Sequence, residues 1–326
     1  MENGKERMLI KSKDLVTHAF VCGASGSGKT VTCKAILEEA VLNDIPVVAI
    51  DPKGDIGGVA FAVKEPKPEE FVKWCKPEAE ATGKPAEELA KEFAELYKRK
   101  FEEYGIDGGR IGKFHDKIMT FIFTPGSGVG LRLKIEPELD PPKDYDKLLI
   151  EDPEAIENTI QFELLPLLKM AGYKNIESTS KEYVFLSEIV KDAWSKGKRV
   201  DLKYLINATY NPPIIKIGVI PVDEFIRKKE RKRLAERLNT VALSAAGGIP
   251  FDLDMLIEKA KEQNKTPVII FDLRWTLDQA EKEALIAKVT NHIYQWMLKK
   301  GGASDLRLLF YFDEVYGFLP PYQEIL

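Results

Sequence analysis

Gly23-Ala24-Ser25-Gly26-Ser27-Gly28-Lys29-Thr30 matches the phosphate-binding P-loop pattern G-x-x-x-x-G-K-[ST] in full. A loop with few bulky side chains lets successive backbone N–H groups face phosphate oxygens, at the positive end of the helix that follows. In such a loop Lys29 reaches the β- and γ-phosphates as a point charge, and the Thr30 hydroxyl takes one position on Mg²⁺. Gly23, Ser25, Gly26, Ser27, Gly28 and Val31 complete the candidate nucleotide contacts. The flanks agree with the motif. His18-Ala19-Phe20-Val21-Cys22 reads as a short buried strand, and Val31 to Leu42 carries Ile36, Ala40 and Val41 at helical spacing. Strand, loop and helix in that order make this an α/β chain with an NTP site.

Beyond the helix, Ile45-Pro46-Val47-Val48-Ala49-Ile50 is a β-branched run ending in Asp51-Pro52-Lys53-Gly54-Asp55. Two strands separated by one helix form a βαβ unit, which implies a parallel sheet with a right-handed crossover. Asp51, Lys53 and Asp55 fall at the carboxyl end of a strand, where open α/β sheets place their ligand cleft. They read either as contacts to the γ-phosphate region or a coupling element, or as a Pro-Gly turn with solvated charges.

The other half of the site lies near the C-terminus. Leu308-Leu309-Phe310-Tyr311-Phe312-Asp313-Glu314 is an apolar strand ending in two carboxylates, as a Walker B motif does. Asp313 would hold Mg²⁺ directly or through a water, and Glu314 would polarise the water that attacks the γ-phosphate. Lys29 and Glu314 are therefore the catalytic candidates, with Thr30 and Asp313 as the metal-holding pair. Arg274, just after the strand ending at Asp272, faces phosphate in cis or in a neighbour's site, or else forms a structural ion pair. A Ras-type GTPase is excluded because Asn264-Lys265-Thr266-Pro267 lacks the Asp of Asn-Lys-x-Asp, and an ABC-type signature is absent.

Between these motifs the composition divides the chain. Residues 1–63 form the first part of the ATPase core, 64–117 a helical insertion, 118–140 a core strand and hairpin, 141–212 a second helical insertion, and 213–326 the rest of the core. In the first insertion Leu89, Phe93, Leu96, Tyr97, Phe101 and Tyr104 mark an amphipathic helix. Ile118 to Phe123 is a strand; the turn Pro125-Gly126-Ser127-Gly128 and the alternating Val129, Leu131, Leu133 and Ile135 predict a hairpin or edge strand. Pro166 marks a kink or break in the second insertion. The last elements are a strand from Pro267 to Asp272, a helix from Leu277 to Lys299 and a strand from Leu306 to Phe312.

Composition narrows the class without choosing the partner. With 326 residues, 44% apolar and 31% charged, the chain has the material for a sizeable core, and its net charge of −4 neither requires nor forbids nucleic acid. No apolar run is long enough to cross a bilayer and the N-terminus carries charges, so no membrane partner and a cytoplasmic location are expected. Cys22, Cys33 and Cys75 lack metal-ligand spacing and read as small core residues. His18, His115 and His292 are scattered and receive no catalytic task. Arg227-Lys228-Lys229-Glu230-Arg231-Lys232-Arg233, continuing to Arg237, is the dense basic run. Wound into two helical turns it presents positive charge on most faces, and reads either as a solvated helix or as a DNA or subunit contact.

Gly23 to Thr30, Asp51-Pro52-Lys53-Gly54-Asp55-Ile56, Ile269-Ile270-Phe271-Asp272-Leu273 and Phe312-Asp313-Glu314-Val315-Tyr316-Gly317-Phe318-Leu319-Pro320 together resemble the HerA-like ATPases of the HerA/FtsK superfamily. The resemblance implies a RecA-like P-loop NTPase core with a mostly parallel sheet and helical insertions. It also implies ATP and Mg²⁺ as ligands, a homo-oligomeric, hexameric ring, and ATP-driven translocation along double-stranded DNA. An ATP-regulated scaffold and a protein-translocating ATPase of the same superfamily are the alternative readings. Family members continue past Walker B with a further core strand and residues that reach a neighbour's nucleotide, so a fragment or a natural truncation is expected. An all-β N-terminal domain of the kind in fuller HerA proteins is not expected ahead of the P-loop.

Overall fold

The computed structural model describes residues 9–61, 63–134, 137, 139–244 and 248–318. Ile135 of the expected hairpin and Leu319-Pro320 of the C-terminal motif lie outside them. Two compact units make up the described chain. The first takes residues up to 122, 254–270 and 303–313; the second takes 123–253, 271–302 and those from 314 onward.

A four-stranded, mostly parallel sheet organises the first unit, in the order Ile118–Phe123, Thr266–Asp272, Val47–Asp51, Leu309–Phe312. The two inner strands are buried at every position, as strands covered on both faces must be. This explains why Val47 to Ile50 and Val268 to Phe271 read as unbroken apolar runs. The outer strands are partly exposed. Leu309–Phe312 runs parallel to its neighbour in the register Val47↔Leu309 to Ile50↔Phe312. Helix Lys29–Leu42 buries Leu37, Ala40 and Val41 in a cluster with Val47, Ala49, Phe114, Val268 and Ile270. Its C-terminal end is tied down by Lys117 Nζ, which donates to Leu42 O at 2.8 Å, and by Thr266 Oγ1, which donates to Val41 O at 3.2 Å.

The strand expected over residues 18–22 does not form. These residues lack regular structure, Phe20 is 83% exposed, and Cys22 is exposed instead of being a core residue. Both ladder positions beside Val47–Asp51 are occupied by other strands. An apolar run without a ladder partner leaves its backbone groups to water and gains nothing from strand geometry. Cys33 is half-buried and Cys75 buried, closer to expectation. Helices Pro68–Thr82 and Ala86–Tyr104 pack on each other and enclose Phe71, Cys75, Leu89, Ala90 and Ala94.

The second unit is helical, with a core drawn from helices Pro153–Met170, Lys181–Ser195, Leu202–Tyr210 and Lys228–Ser244. Pro166 neither breaks nor ends its helix, which runs through it to Met170. Its missing N–H costs one bond, but Leu164, Leu167 and Leu168 on the same turn are buried and hold the helix in place. Lys288 of helix Gln279–Lys300 pairs with Glu163 of helix Pro153–Met170 at 3.1 Å, both side chains largely buried.

Of the hairpin or edge strand expected after Phe123, the described residues form no hairpin but a short strand, Leu133–Lys134, in a two-stranded sheet. Phe123 and Leu131 form a single parallel bridge, and Leu133–Lys134 pairs in parallel with Ile249–Pro250. The Gly126 turn is real (φ 81°), and a Cβ there would stand 2.9 Å from Trp275 O. That turn swings the chain toward a distant partner strand instead of back on itself.

Candidate nucleotide site

Helix Lys29–Leu42 begins directly at the P-loop lysine, with Gly28 as its N-cap at φ 88° and Gly26 at φ 77°. Both lie in the left-handed region that a side chain disfavours. A Cβ at either would meet nothing within 4 Å, so backbone conformation and not space demands glycine. The first-turn amides of any helix lack intrahelical acceptors, and here they open onto an exposed loop. Lys29 Nζ donates to the carbonyl oxygens of Gly23 and Ala24, each at 2.9 Å. The cation is thus curled over its own loop, beside the amides that would bind phosphate. Thr30 follows as the second helical residue, half-buried.

Asp51, fully buried at the end of its strand, accepts three backbone hydrogen bonds. Oδ1 takes the N–H groups of Gly54 (2.7 Å) and Asp55 (3.0 Å), and Oδ2 takes that of Ile56 (2.8 Å). The carboxylate therefore builds the 51–56 loop around itself, and it is not one of the solvated charges of a plain turn. Lys53 and Asp55 are the exposed side chains of that loop.

Asp313 follows strand Leu309–Phe312, and its N–H extends the ladder by donating to Ile50 O at 3.1 Å. Its Oδ1 accepts the Tyr311 hydroxyl at 2.8 Å. Tyr311 also contacts the Cys33 thiol on the P-loop helix. Burial pushes the Tyr311 hydroxyl well above its ordinary value, and the bond to Asp313 pushes it further, so it stays a proton donor. Burial likewise raises the Cys33 thiol; the Tyr311 bond offsets this and the Asp313 charge adds to it. Glu314, next in the chain, is exposed and sits at φ 50°, a left-handed conformation uncommon outside glycine.

The first unit thus brings together the P-loop cation, the helix N-terminus, a hydroxyl and, through Cys33 and Tyr311, the Asp313 carboxylate. This donor set fits a polyphosphate with a hard cation. Among the described residues no group of three or more His, Cys, Asp or Glu is arranged to hold a metal. Mg²⁺ needs no such cage, since it is bound by one or two protein oxygens plus phosphate and water.

In the second unit Arg274 forms a forked ion pair with Asp272. Its Nε donates to Oδ1 and Oδ2 at 3.0 and 2.9 Å, and a terminal nitrogen donates to Oδ2 at 2.7 Å. Asp272 is almost fully buried and Arg274 half-exposed. The basic run splits into two classes. Arg231, 6% exposed, points inward and donates to Asp223 Oδ1 at 2.7 Å and Ile226 O at 2.9 Å. Arg237 stacks on Tyr173 and donates to Gly172 O at 3.0 Å. Lys228, Lys229, Lys232 and Arg233 remain exposed. Positive charge on most faces is therefore corrected to charge on one face, because Arg231, Leu234, Ala235 and Leu238 occupy the packed side.

Tyr311 and Cys33 are site residues that motif reading passed over. Tyr311 could have been found from its spacing, since residues two apart on a strand share a face. Cys33 stands one turn after Thr30 and could have been found as its i+3 neighbour.

A family model described as "Helicase HerA, central domain" matches residues 3–293, a span that holds the P-loop, the 51–56 loop and strand Thr266–Asp272. No curated protein and no solved structure matches the chain.

Proposed function

The chain belongs to the HerA helicase central-domain family, and on that premise we propose that it is an ATP-hydrolysing motor subunit that moves along double-stranded DNA. Lys29 and the amides of the P-loop bind the β- and γ-phosphates, and Thr30 and Asp313 hold Mg²⁺. Mg²⁺ held there would supply positive charge that offsets the charge of the phosphates. Glu314 orients the attacking water and accepts its proton. Exposed Lys228, Lys229, Lys232 and Arg233 supply backbone contacts to duplex DNA that do not depend on base sequence. Copies of the chain assemble into a ring that repeats this cationic face around the duplex. The reading includes no membrane partner. A cytoplasmic location is part of the same proposal.

The ATP-site part of this reading is supported by the contact chain Cys33–Tyr311–Asp313, which joins the P-loop helix to the Asp313 carboxylate within one unit, and the motor part by the HerA central-domain match. The test is steady-state ATP turnover with and without duplex DNA. Stimulation by duplex supports the motor reading. Turnover that duplex leaves unchanged contradicts it, and points to the scaffold or protein-translocating alternative.

A further inference from the structure

We propose that Tyr311 is a positioning residue for the metal-binding carboxylate: its hydroxyl fixes Asp313 and ties it to the P-loop helix through Cys33. The inference rests on the reading of Thr30 and Asp313 as the pair that holds Mg²⁺. Those two residues come from different elements, a helix and a strand end, so their separation depends on what joins the elements. Cys33 lies three residues after Thr30, one turn along the same helix, and it contacts Tyr311. Tyr311 in turn donates to Asp313 Oδ1 at 2.8 Å. A side-chain bridge therefore runs from the turn that carries Thr30 to the carboxylate.

The tyrosine is itself well anchored. Its backbone pairs in register with Ala49, and its ring packs against the cluster formed by Leu37, Val41 and Val47. A carboxylate at a strand end rotates about two side-chain torsions unless something holds it. A hydroxyl delivered from a fixed ring at 2.8 Å restrains that rotation directly. Only Oδ1 is engaged by Tyr311, so Oδ2 carries no bond to the tyrosine. Partners of this kind orient a metal ligand without touching the metal, and their loss typically weakens metal binding by about 10- to 100-fold.

The experiment measures Mn²⁺ binding to the full chain saturated with mant-ADP, from the loss of the free Mn²⁺ EPR signal. Mant-ADP fluorescence without metal is recorded in parallel. Tyr311→Phe keeps the ring, so metal-free mant-ADP affinity is expected to equal the parent's, while Mn²⁺ affinity falls by about 10- to 100-fold. In an Asp313→Asn background the same substitution is expected to add nothing, because its effect passes through the carboxylate. Cys33→Ala leaves the hydroxyl in place and is expected to weaken Mn²⁺ binding by a smaller factor. Parent-like Mn²⁺ affinity in Tyr311→Phe, or an undiminished loss in the Asp313→Asn background, overturns the positioning role. Parent-like affinity in Cys33→Ala overturns the tie to the helix. If Asp313→Asn itself binds Mn²⁺ like the parent, the metal-site reading fails first and the inference falls with it. Should Tyr311→Phe not fold, Tyr311→Leu, which also lacks the hydroxyl, carries the same expectations and the same overturning results.

Discussion

Lys29 Nζ donates to Gly23 O at 2.9 Å, so the P-loop cation is held across the mouth of its own loop. The companion bond to Ala24 O has the same length. Both bonds are exposed, and exchanging carbonyl acceptors for charged phosphate oxygens yields stronger, charge-assisted bonds. Lys29→Ala removes the only side-chain cation of the loop. Labelled ATP-analogue binding is expected to be lost in that variant, with the thermal unfolding temperature close to the parent's. Unchanged analogue affinity would show that the loop does not bind nucleotide through this lysine.

Glu314 stands directly after the metal-binding candidate, exposed and in a left-handed conformation. Glu314→Gln keeps size and hydrogen bonding but cannot take a proton. Nucleotide binding should persist while hydrolysis falls by about 10²- to 10⁴-fold. Asp313→Asn should reduce turnover as well, with a raised Mg²⁺ requirement as the distinguishing sign. Turnover within a few-fold of the parent in both variants contradicts the Walker B assignment.

The basic helix should divide by burial. Reversing exposed Lys228, Lys229, Lys232 and Arg233 to Glu is expected to abolish duplex binding and leave ATP affinity unchanged. With single reversals, the slope of log K against log salt should become shallower by about 0.9 for every phosphate no longer neutralised. Arg231→Ala should behave differently. It removes inward bonds to Asp223 and Ile226 O, and its expected cost is stability, about 1–3 kcal/mol, with the salt slope intact. The figure stays at that level because Asp223 is largely exposed and is not stranded when its partner leaves. Fluorescence anisotropy on duplex at several salt concentrations, with denaturant melts alongside, separates the two outcomes.

The cysteines supply a probe of the site. Cys22 is exposed and directly precedes Gly23, whereas burial keeps the Cys33 thiol above its usual range and hence protonated at neutral pH. Iodoacetamide should modify Cys22 first and Cys33 slowly, with Cys33 labelling accelerating only as pH rises well past neutral. Saturating ATP with Mg²⁺ should protect Cys22. Mass spectrometry of peptides from timed reactions gives the order, and equal rates at all three cysteines would contradict it.

Much of this architecture was legible in the residues, for identifiable reasons. Gly26 and Gly28 were legible because the left-handed backbone of the loop favours glycine. Val47–Asp51 and Thr266–Asp272 were legible because strands buried on both faces are mostly apolar, as Val47 to Ile50 and Val268 to Phe271 are. What sequence could not supply were properties of partners. Residues 18–22 have strand composition, yet a strand exists only if another lies beside it. Arg231 reads as a solvated charge until Asp223 and the Ile226 carbonyl are brought to it by the fold. Pro166 reads as a break until the packing of Leu164, Leu167 and Leu168 is known to outweigh one absent hydrogen bond. Asp51 was placed correctly at the strand end, but its three loop amides became visible only in three dimensions.

The most direct test of the motor assignment is displacement of a triplex-forming oligonucleotide from a long duplex by the full-length protein. ATP hydrolysis coupled to movement along duplex DNA should strip the third strand in an ATP- and Mg²⁺-dependent manner, and Glu314→Gln should bind the same duplex without stripping it. Displacement that proceeds equally without ATP or in Glu314→Gln, or an active ATPase that never removes the third strand, would contradict the account.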